Sequence, residues 1–255
     1  MFDRVLTHVL ARVRHTPGHA VGFALAGLLA AVAAAVVFAG VAEDVIQGNG
    51  AVTTDPTRLA WIAHHRTTAL IDGARFFDAA GSVAVVVVLA VIISAFLWWR
   101  RVPLAAALAP ATAVLSAGAV AAVLKVLVDR PRPSAAYRLV VETDPSFPSG
   151  HATGTMALGV SAAIVVAVYL LRRPIARALA VSTGVVLPLA VAASRLELGV
   201  HWPTDVVAGL ALGATVALVT TAAAIWVAGV PERAGGNPRL MRIGALLRTA
   251  RPSAT

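Results

Sequence analysis

The sequence predicts an all-α, six-transmembrane-helix integral membrane bundle. Three observations lead there: a mean hydropathy of +0.84 with only 13% charged residues, six long uncharged runs, and no alternation in segments of about ten residues such as a membrane barrel requires. An average soluble domain carries roughly 25% charged residues. About half that fraction leaves too few polar side chains to cover a globule in water, and 59% hydrophobic residues exclude a disordered chain. The absence of cysteine removes disulfide frameworks, iron–sulfur clusters, thiolate zinc sites and thiol nucleophiles.

The uncharged runs occupy residues 20–42, 79–99, 102–124, 152–171, 178–194 and 206–230. Crossing a hydrocarbon core of about 30 Å at 1.5 Å per residue takes roughly 20 residues. With their end turns the expected spans are about 20–42, 79–99, 102–127, 149–171, 175–194 and 203–230. Each reads as a helix, because an isolated strand facing lipid cannot satisfy its backbone. The first run has 23 residues, more than the roughly 7 to 15 of a signal-peptide core, so it is expected to remain as a span.

Orientation follows from the basic residues. With the amino terminus inside, thirteen Lys and Arg fall on the inner side and eight on the outer, so both termini are expected in the cytoplasm of a cell or plasma membrane. Residues 1–19 then form a cytoplasmic segment, 20–230 the membrane domain, and 231–255, with five arginines, a basic tail near anionic lipid. The outer segment 43–78 carries Trp61, His64 and His65 and an apolar rhythm through Leu59, Ile62, Leu70 and Ile71. It reads as an amphipathic helix on the outer leaflet, with the histidines as interfacial side chains. There is no internal repeat of 20 to 50 residues. The net charge of +9 is dispersed between apolar runs, so no nucleic-acid partner is expected. The sequence specifies no oligomeric state.

Three polar clusters interrupt the apolar pattern, and on this topology all open toward the outer side. Lys125, Arg132 and Pro133 straddle the end of the third span. Pro148, Ser149, Gly150 and His151 lead into the fourth. Ser194, Arg195, His201 and Asp205 bridge the fifth and sixth. In order and spacing these clusters resemble the signature blocks of the type-2 phosphatidic-acid phosphatase superfamily, Lys-x6-Arg-Pro, Pro-Ser-Gly-His and Ser-Arg-x5-His-x3-Asp, at all eleven specified positions. The soluble vanadium haloperoxidases share these blocks, but the lipid-spanning composition points to the integral membrane lipid phosphatase branch. The resemblance implies a hydrolase active on a lipid phosphate or diphosphate, with membrane lipids around it and the site at the extracytoplasmic ends of the helices.

The same residues make chemical sense individually. A phosphate monoester dianion must be gripped by several donors, and cations beside its equatorial oxygens stabilise the phosphoryl group in transfer. Lys125, Arg132 and Arg195 supply three positive charges with no nearby carboxylate cluster to chelate a metal, so neither metal nor cofactor is expected. Arg130 and Arg138 read as ordinary cations snorkelling at helix ends. Ser149 and Gly150 stand where the fourth span begins, and helix amino termini bind anions through unpaired amides. Ser149 adds a hydroxyl and also fits an N-cap, while Gly150 leaves the backbone open to close approach.

His201 lies four residues before Asp205. If Pro203 starts the sixth helix, the Asp205 carboxylate can turn back to one ring nitrogen and leave the other aimed at phosphorus. His201 is therefore the expected nucleophile, forming a phosphohistidine. His151, beside the anion site, is expected to protonate the leaving alcohol and then to activate water. Phosphatidic acid, phosphatidylglycerol phosphate and undecaprenyl diphosphate all fit as substrates. A phosphotransferase sharing the first chemical step is the alternative. An anion transporter is more remote, because the polar residues sit at span ends without paired broken spans.

Overall fold

The computed structural model describes residues 18–229, so the expected basic tail 231–255 and nearly all of segment 1–19 lie outside the described residues. Among the described residues nine α-helices follow one another: α1 (Gly18–Gln47), α2 (Asp55–His64), α3 (Thr68–Ala80), α4 (Val83–Trp99), α5 (Leu104–Ala107), α6 (Ala109–Val128), α7 (Gly150–Tyr169), α8 (Pro174–Glu197) and α9 (Pro203–Ala228). No strand occurs among the described residues. Helices α1, α6, α7, α8 and α9 are long and apolar enough to cross a membrane, and α3 with α4, bent by 54° at their junction, make a sixth if the pair is taken as one span. The protein is an all-helical integral membrane bundle.

The two expected spans that differ do so for local reasons. The second was expected as one helix from residue 79. Instead the chain breaks at Gly81 and Ser82, and α4 alone has 17 residues, about 25 Å of helix. At the break a Cβ on Gly81 would lie 2.3 Å from Val191 Cγ1, so the bend is pressed against α8 with no room for a side chain. In the third span a single turn, α5, precedes α6, and Pro110 in the first turn of α6 has no N–H to continue a helix from before it.

Helix α7 sits at the centre, against α6, α8 and α9, while α1 packs along α9 and α4 along α6 and α7. Association inside lipid depends on close packing of small residues, and the contacts are of that kind. Ala90, Ala113, Ala117, Ala157 and Ala217 form one buried cluster with Val86, Val114 and Leu158. Where α7 meets α8, a Cβ on Gly159 would stand 2.2 Å from the Gly184 carbonyl oxygen. Where α7 meets α9, a Cβ on Gly213 would stand 2.4 Å from the Thr153 oxygen. Thr221 donates to Ser161 across the α7–α9 seam at 2.8 Å, both hydroxyls being buried.

Segment 43–78 is not one helix lying on the leaflet. It forms a 3-10 turn (Gly50–Thr54), α2 and α3, which cap one end of the bundle. Leu59 and Asp55 are buried beneath α2, while Trp61 is exposed and stacks on His65 with ring centroids 4.2 Å apart. The start of α2, the end of α3, the end of α6, the start of α7, the end of α8 and the start of α9 meet at this capped end.

Because Gly159 and Gly184 leave no space between α7 and α8, Gly159→Val is expected to cost about 1–3 kcal/mol through overpacking. Gly118, exposed on α6 with nothing within 4 Å of its Cβ position, is the control. Thermal unfolding in detergent should show a lower Tm for Gly159→Val and little change for Gly118→Val.

Candidate active site

The site begins where α6 ends. Asp129 takes a left-handed conformation (φ 45°, ψ 42°) and its N–H bonds the Lys125 carbonyl, terminating the helix. The following Arg-Pro-Arg-Pro forms no helix, as expected where each residue before a proline avoids the helical region. Arg130 and Arg132 both reach the start of α9. Trp202 Nε1 fastens this strap by donating to the Pro131 carbonyl at 2.9 Å.

Helix α9 starts at Pro203, as the sequence suggested, and Asp205 turns back from its first turn. The Oδ2 atom of Asp205 accepts the Trp202 N–H at 2.9 Å and lies 3.4 Å from His201 Nδ1. The remaining ring nitrogen, Nε2, is 3.3 Å from Arg132 Nη1. With Nδ1 donating to the carboxylate and Nε2 accepting from the guanidinium, the imidazole is held in one tautomer with its Nε2 lone pair facing the cations. His201 and Asp205 are 1% and 0% exposed. Burial pushes the His201 imidazolium down to about 4, aided by the charges of Arg132 and Arg195 and opposed by Asp205. The ring is therefore neutral at neutral pH.

On α7, helix begins at Gly150, with Ser149 as the extended residue before it. The Ser149 N–H bonds the Asp205 carbonyl at 3.1 Å, which ties the start of α7 to the first turn of α9. The Ser149 hydroxyl is buried without a partner, and a Cβ on Gly150 would point into open space. An unpartnered hydroxyl beside an open helix start is a donor set suited to an anion. The expected N-cap is not made by the Ser149 side chain.

The phosphate-sized cations are each matched by a carboxylate. Lys125 Nζ is 2.9 Å from Asp144 Oδ2 and also donates to the Pro145 carbonyl. Arg132 donates to Asp144 Oδ1 at 2.8 Å and to the Val200 carbonyl at 2.7 Å, with Glu142 Oε2 at 3.8 Å. Arg195, 1% exposed, is clamped between Asp78 and Glu142. His151 Nε2 lies 3.4 Å from the same Asp78 oxygen. Burial raises Asp144, but its hydrogen bond and charge pairing with Lys125, and then Arg132, outweigh that and bring it down to about 2.

A continuous chain of contacts thus runs from His201 through Arg132, Glu142, Arg195 and Asp78 to His151. The structure brings His201, His151, Asp205, Lys125, Arg132, Ser149, Gly150 and Arg195 to one end of the bundle. Sequence reasoning missed Asp55, Asp78, Glu142 and Asp144, and it misjudged Arg130. Arg130 is not a snorkelling cation: its Nη2 donates to Asp55 Oδ2 at 2.8 Å and its Nη1 bonds Asp205 and Thr204. The cations do not stand alone: Glu142 and Asp144, from the segment between α6 and α7, and Asp78, from α3, fold onto them. Arg138 reaches only the Glu142 carbonyl, at 3.5 Å. Among the described residues no three of His, Asp and Glu are arranged to hold a metal ion.

Removing Arg130 leaves Asp55 and Asp205, both buried, facing each other without a cation. Loss of one partner of such a pair costs about 3–5 kcal/mol. Arg130→Met is expected to lower the Tm in detergent by more than Arg138→Met does, measured side by side; equal losses would contradict the bridge.

Residues 106–227 match the family model described as the PAP2 superfamily. Over 106 residues the chain is 41% identical to the decaprenylphosphoryl-5-phosphoribose phosphatase of Mycobacterium tuberculosis in two strains, covering 40% of this chain and 52% of the relative. The chain thus spans about half the length of the curated relatives it matches. The fold is similar to that of a transmembrane PAP2 type phosphatidylglycerolphosphate phosphatase from Bacillus subtilis, with a TM-score of 0.65 and 23% identity over 76% of this chain and 93% of that one. Asp55 and Asp78 lie before the matched segment, whereas all three motif blocks lie within it. Over residues 106–227, a little under half of the chain, the sequence is thus similar to the PAP2 superfamily.

Proposed function

We propose that the protein is a membrane phosphatase that hydrolyses a phosphate monoester or diphosphate carried on a lipid, through a phosphohistidine on His201 and without a metal ion. The observation that carries this reading is the gathering of three cations and an unpartnered hydroxyl beside a buried, neutral imidazole whose other nitrogen is held by a carboxylate. In the first step His201 Nε2 attacks phosphorus and the bond to the leaving oxygen breaks, while His151 gives that oxygen its proton. Lys125, Arg132 and Arg195 neutralise the equatorial oxygens, with Ser149 and the first amides of α7 donating to them. In the second step the neutral His151 takes a proton from water. The water oxygen bonds phosphorus, the N–P bond breaks, and inorganic phosphate leaves with His201 restored.

The location of the site at the end of an apolar bundle supports a lipid substrate, whose tail stays in the bilayer while its head enters the cup. The thirteen-to-eight distribution of basic residues supports a site facing the extracytoplasmic side with both termini in the cytoplasm. The relative named above acts, by its name, on decaprenylphosphoryl-5-phosphoribose. A phosphosugar linked to a polyprenyl phosphate therefore heads the substrate panel, with phosphatidylglycerol phosphate, phosphatidic acid and undecaprenyl diphosphate beside it.

Purified protein in detergent is expected to release inorganic phosphate from at least one member of this panel with no alcohol acceptor added and with EDTA present. Activity lost in EDTA and restored by magnesium would overturn the metal-free scheme. His201→Ala should abolish turnover. His151→Ala should slow natural substrates far more than an aryl phosphate, whose leaving group needs little proton donation.

Acid dependence gives a further test. His201 must be neutral to attack, and its folded value lies near 4, below the ordinary 6.5. The group is thus unprotonated throughout the window between those values, so the acid limb of kcat/KM assigned to this ring should fall near pH 4. A nucleophile limb at 6.5 would contradict the buried geometry.

A further inference from the structure

The functional reading uses Asp205 to hold His201, yet the buried charge around that carboxylate does not end there. Arg130 lies against Asp205 Oδ1 and carries its other Nη nitrogen to Asp55 Oδ2 at 2.8 Å. Asp55 is 1% exposed and comes from α2, outside the family segment. Its Oδ1 accepts the Thr204 N–H of α9 at 3.2 Å and its Oδ2 accepts the Thr204 hydroxyl. Asp55 therefore does two things from a distant part of the chain. It caps the amino terminus of α9, where a negative charge is favoured, and it balances Arg130.

The balance matters because a guanidinium on Asp205 draws off the negative charge that Asp205 presents to the imidazole. Asp55, Arg130 and Asp205 together carry one net negative charge; without Asp55 they would carry none. We propose that Asp55 and Arg130 are positioning residues that, with Asp205, form a buried relay setting the orientation and basicity of His201. This rests on the reading of His201 as the nucleophile. The other charged groups facing the ring are Arg132 from the strap and Arg195 from α8. Across the site, His151 on α7 is paired with Asp78 from α3. None of these is altered by a change at Asp55.

The relay makes a prediction that loss of contacts alone does not. Asp55→Asn removes one negative charge and should weaken proton binding by His201 about tenfold, one pH unit downward. The double variant Asp55→Asn/Arg130→Met breaks more contacts but returns the net charge to its original value. Arg130 is the nearer of the two to the ring along the chain of contacts. Proton affinity in the double variant should therefore return to the parent value or slightly exceed it. Asp55→Glu, which keeps the charge, should leave it in place.

The experiment is an NMR titration of the full chain in detergent micelles, with carbon-13-labelled histidine and the His201 signal identified by its loss in His201→Gln. The expected result is a downward shift in Asp55→Asn that is reversed in the double variant. An unmoved midpoint in Asp55→Asn, or a double variant displaced further downward, overturns the relay. If Asp55→Asn does not fold, Arg130→Met decides: removing the cation should raise the midpoint by about one pH unit, and an unmoved or lowered midpoint overturns the relay. The titration needs no substrate. Failure of the parent chain to release phosphate would sink the functional reading and leave the relay to be judged by the midpoints.

Discussion

Charge buried at the end of an apolar bundle must find its partner inside the protein, and the arrangement of this site follows from that constraint. Arg195 and Asp205 are almost without exposure, and an isolated ion in such a place is strongly disfavoured. Each is held by opposite charges from other segments: Arg195 by Asp78 and Glu142, Asp205 by Arg130. The cap formed by α2 and α3 is part of this pairing rather than decoration on a finished bundle, since it supplies Asp55 and Asp78. Close helix packing at Gly159, Gly184 and Gly213 then fixes where the charged ends of α7, α8 and α9 stand relative to one another.

The three cations that suit a phosphate are opposed by three carboxylates, Asp78, Glu142 and Asp144. The site is therefore close to neutral. On the proposed function, a phosphate dianion entering it would exchange one set of anionic oxygens for another instead of meeting bare positive charge. Asp144, half exposed at the rim, and Asp78, shared by Arg195 and His151, sit differently with respect to that exchange. Asp144 can turn outward to water, whereas Asp78 keeps a role beside His151.

Much of this was legible in the chain itself. Spans show as uncharged runs because the hydrocarbon core imposes a length, and the ends of α7, α8 and α9 fall within a few residues of those runs. The three motif blocks were legible because their residues cluster locally at helix ends. The break at Gly81 was not, since a glycine in an apolar run does not reveal that Val191 of another helix presses on it. Asp55 and Asp78 were hidden for a related reason. They pair with Arg130 and Arg195 across 75 and 117 residues of sequence, and a lone acid in a polar segment looks like any solvated side chain. Arg130 was misread because a cation after an apolar span snorkels unless something buried draws it inward, and what draws it inward is Asp55.

A structure of the detergent-solubilised protein soaked with orthovanadate, which takes the five-coordinate shape of a phosphoryl group in transfer, tests the site most directly. The expected result is vanadium bonded to His201 Nε2, its equatorial oxygens on Lys125, Arg132 and Arg195, and His151 at the opposite apex. Glu142 and Asp144 should have left the cations. Vanadate seated on a different side chain, or bound elsewhere while those carboxylates stay on the cations, would contradict the assignment of this cup as the place where phosphorus is transferred.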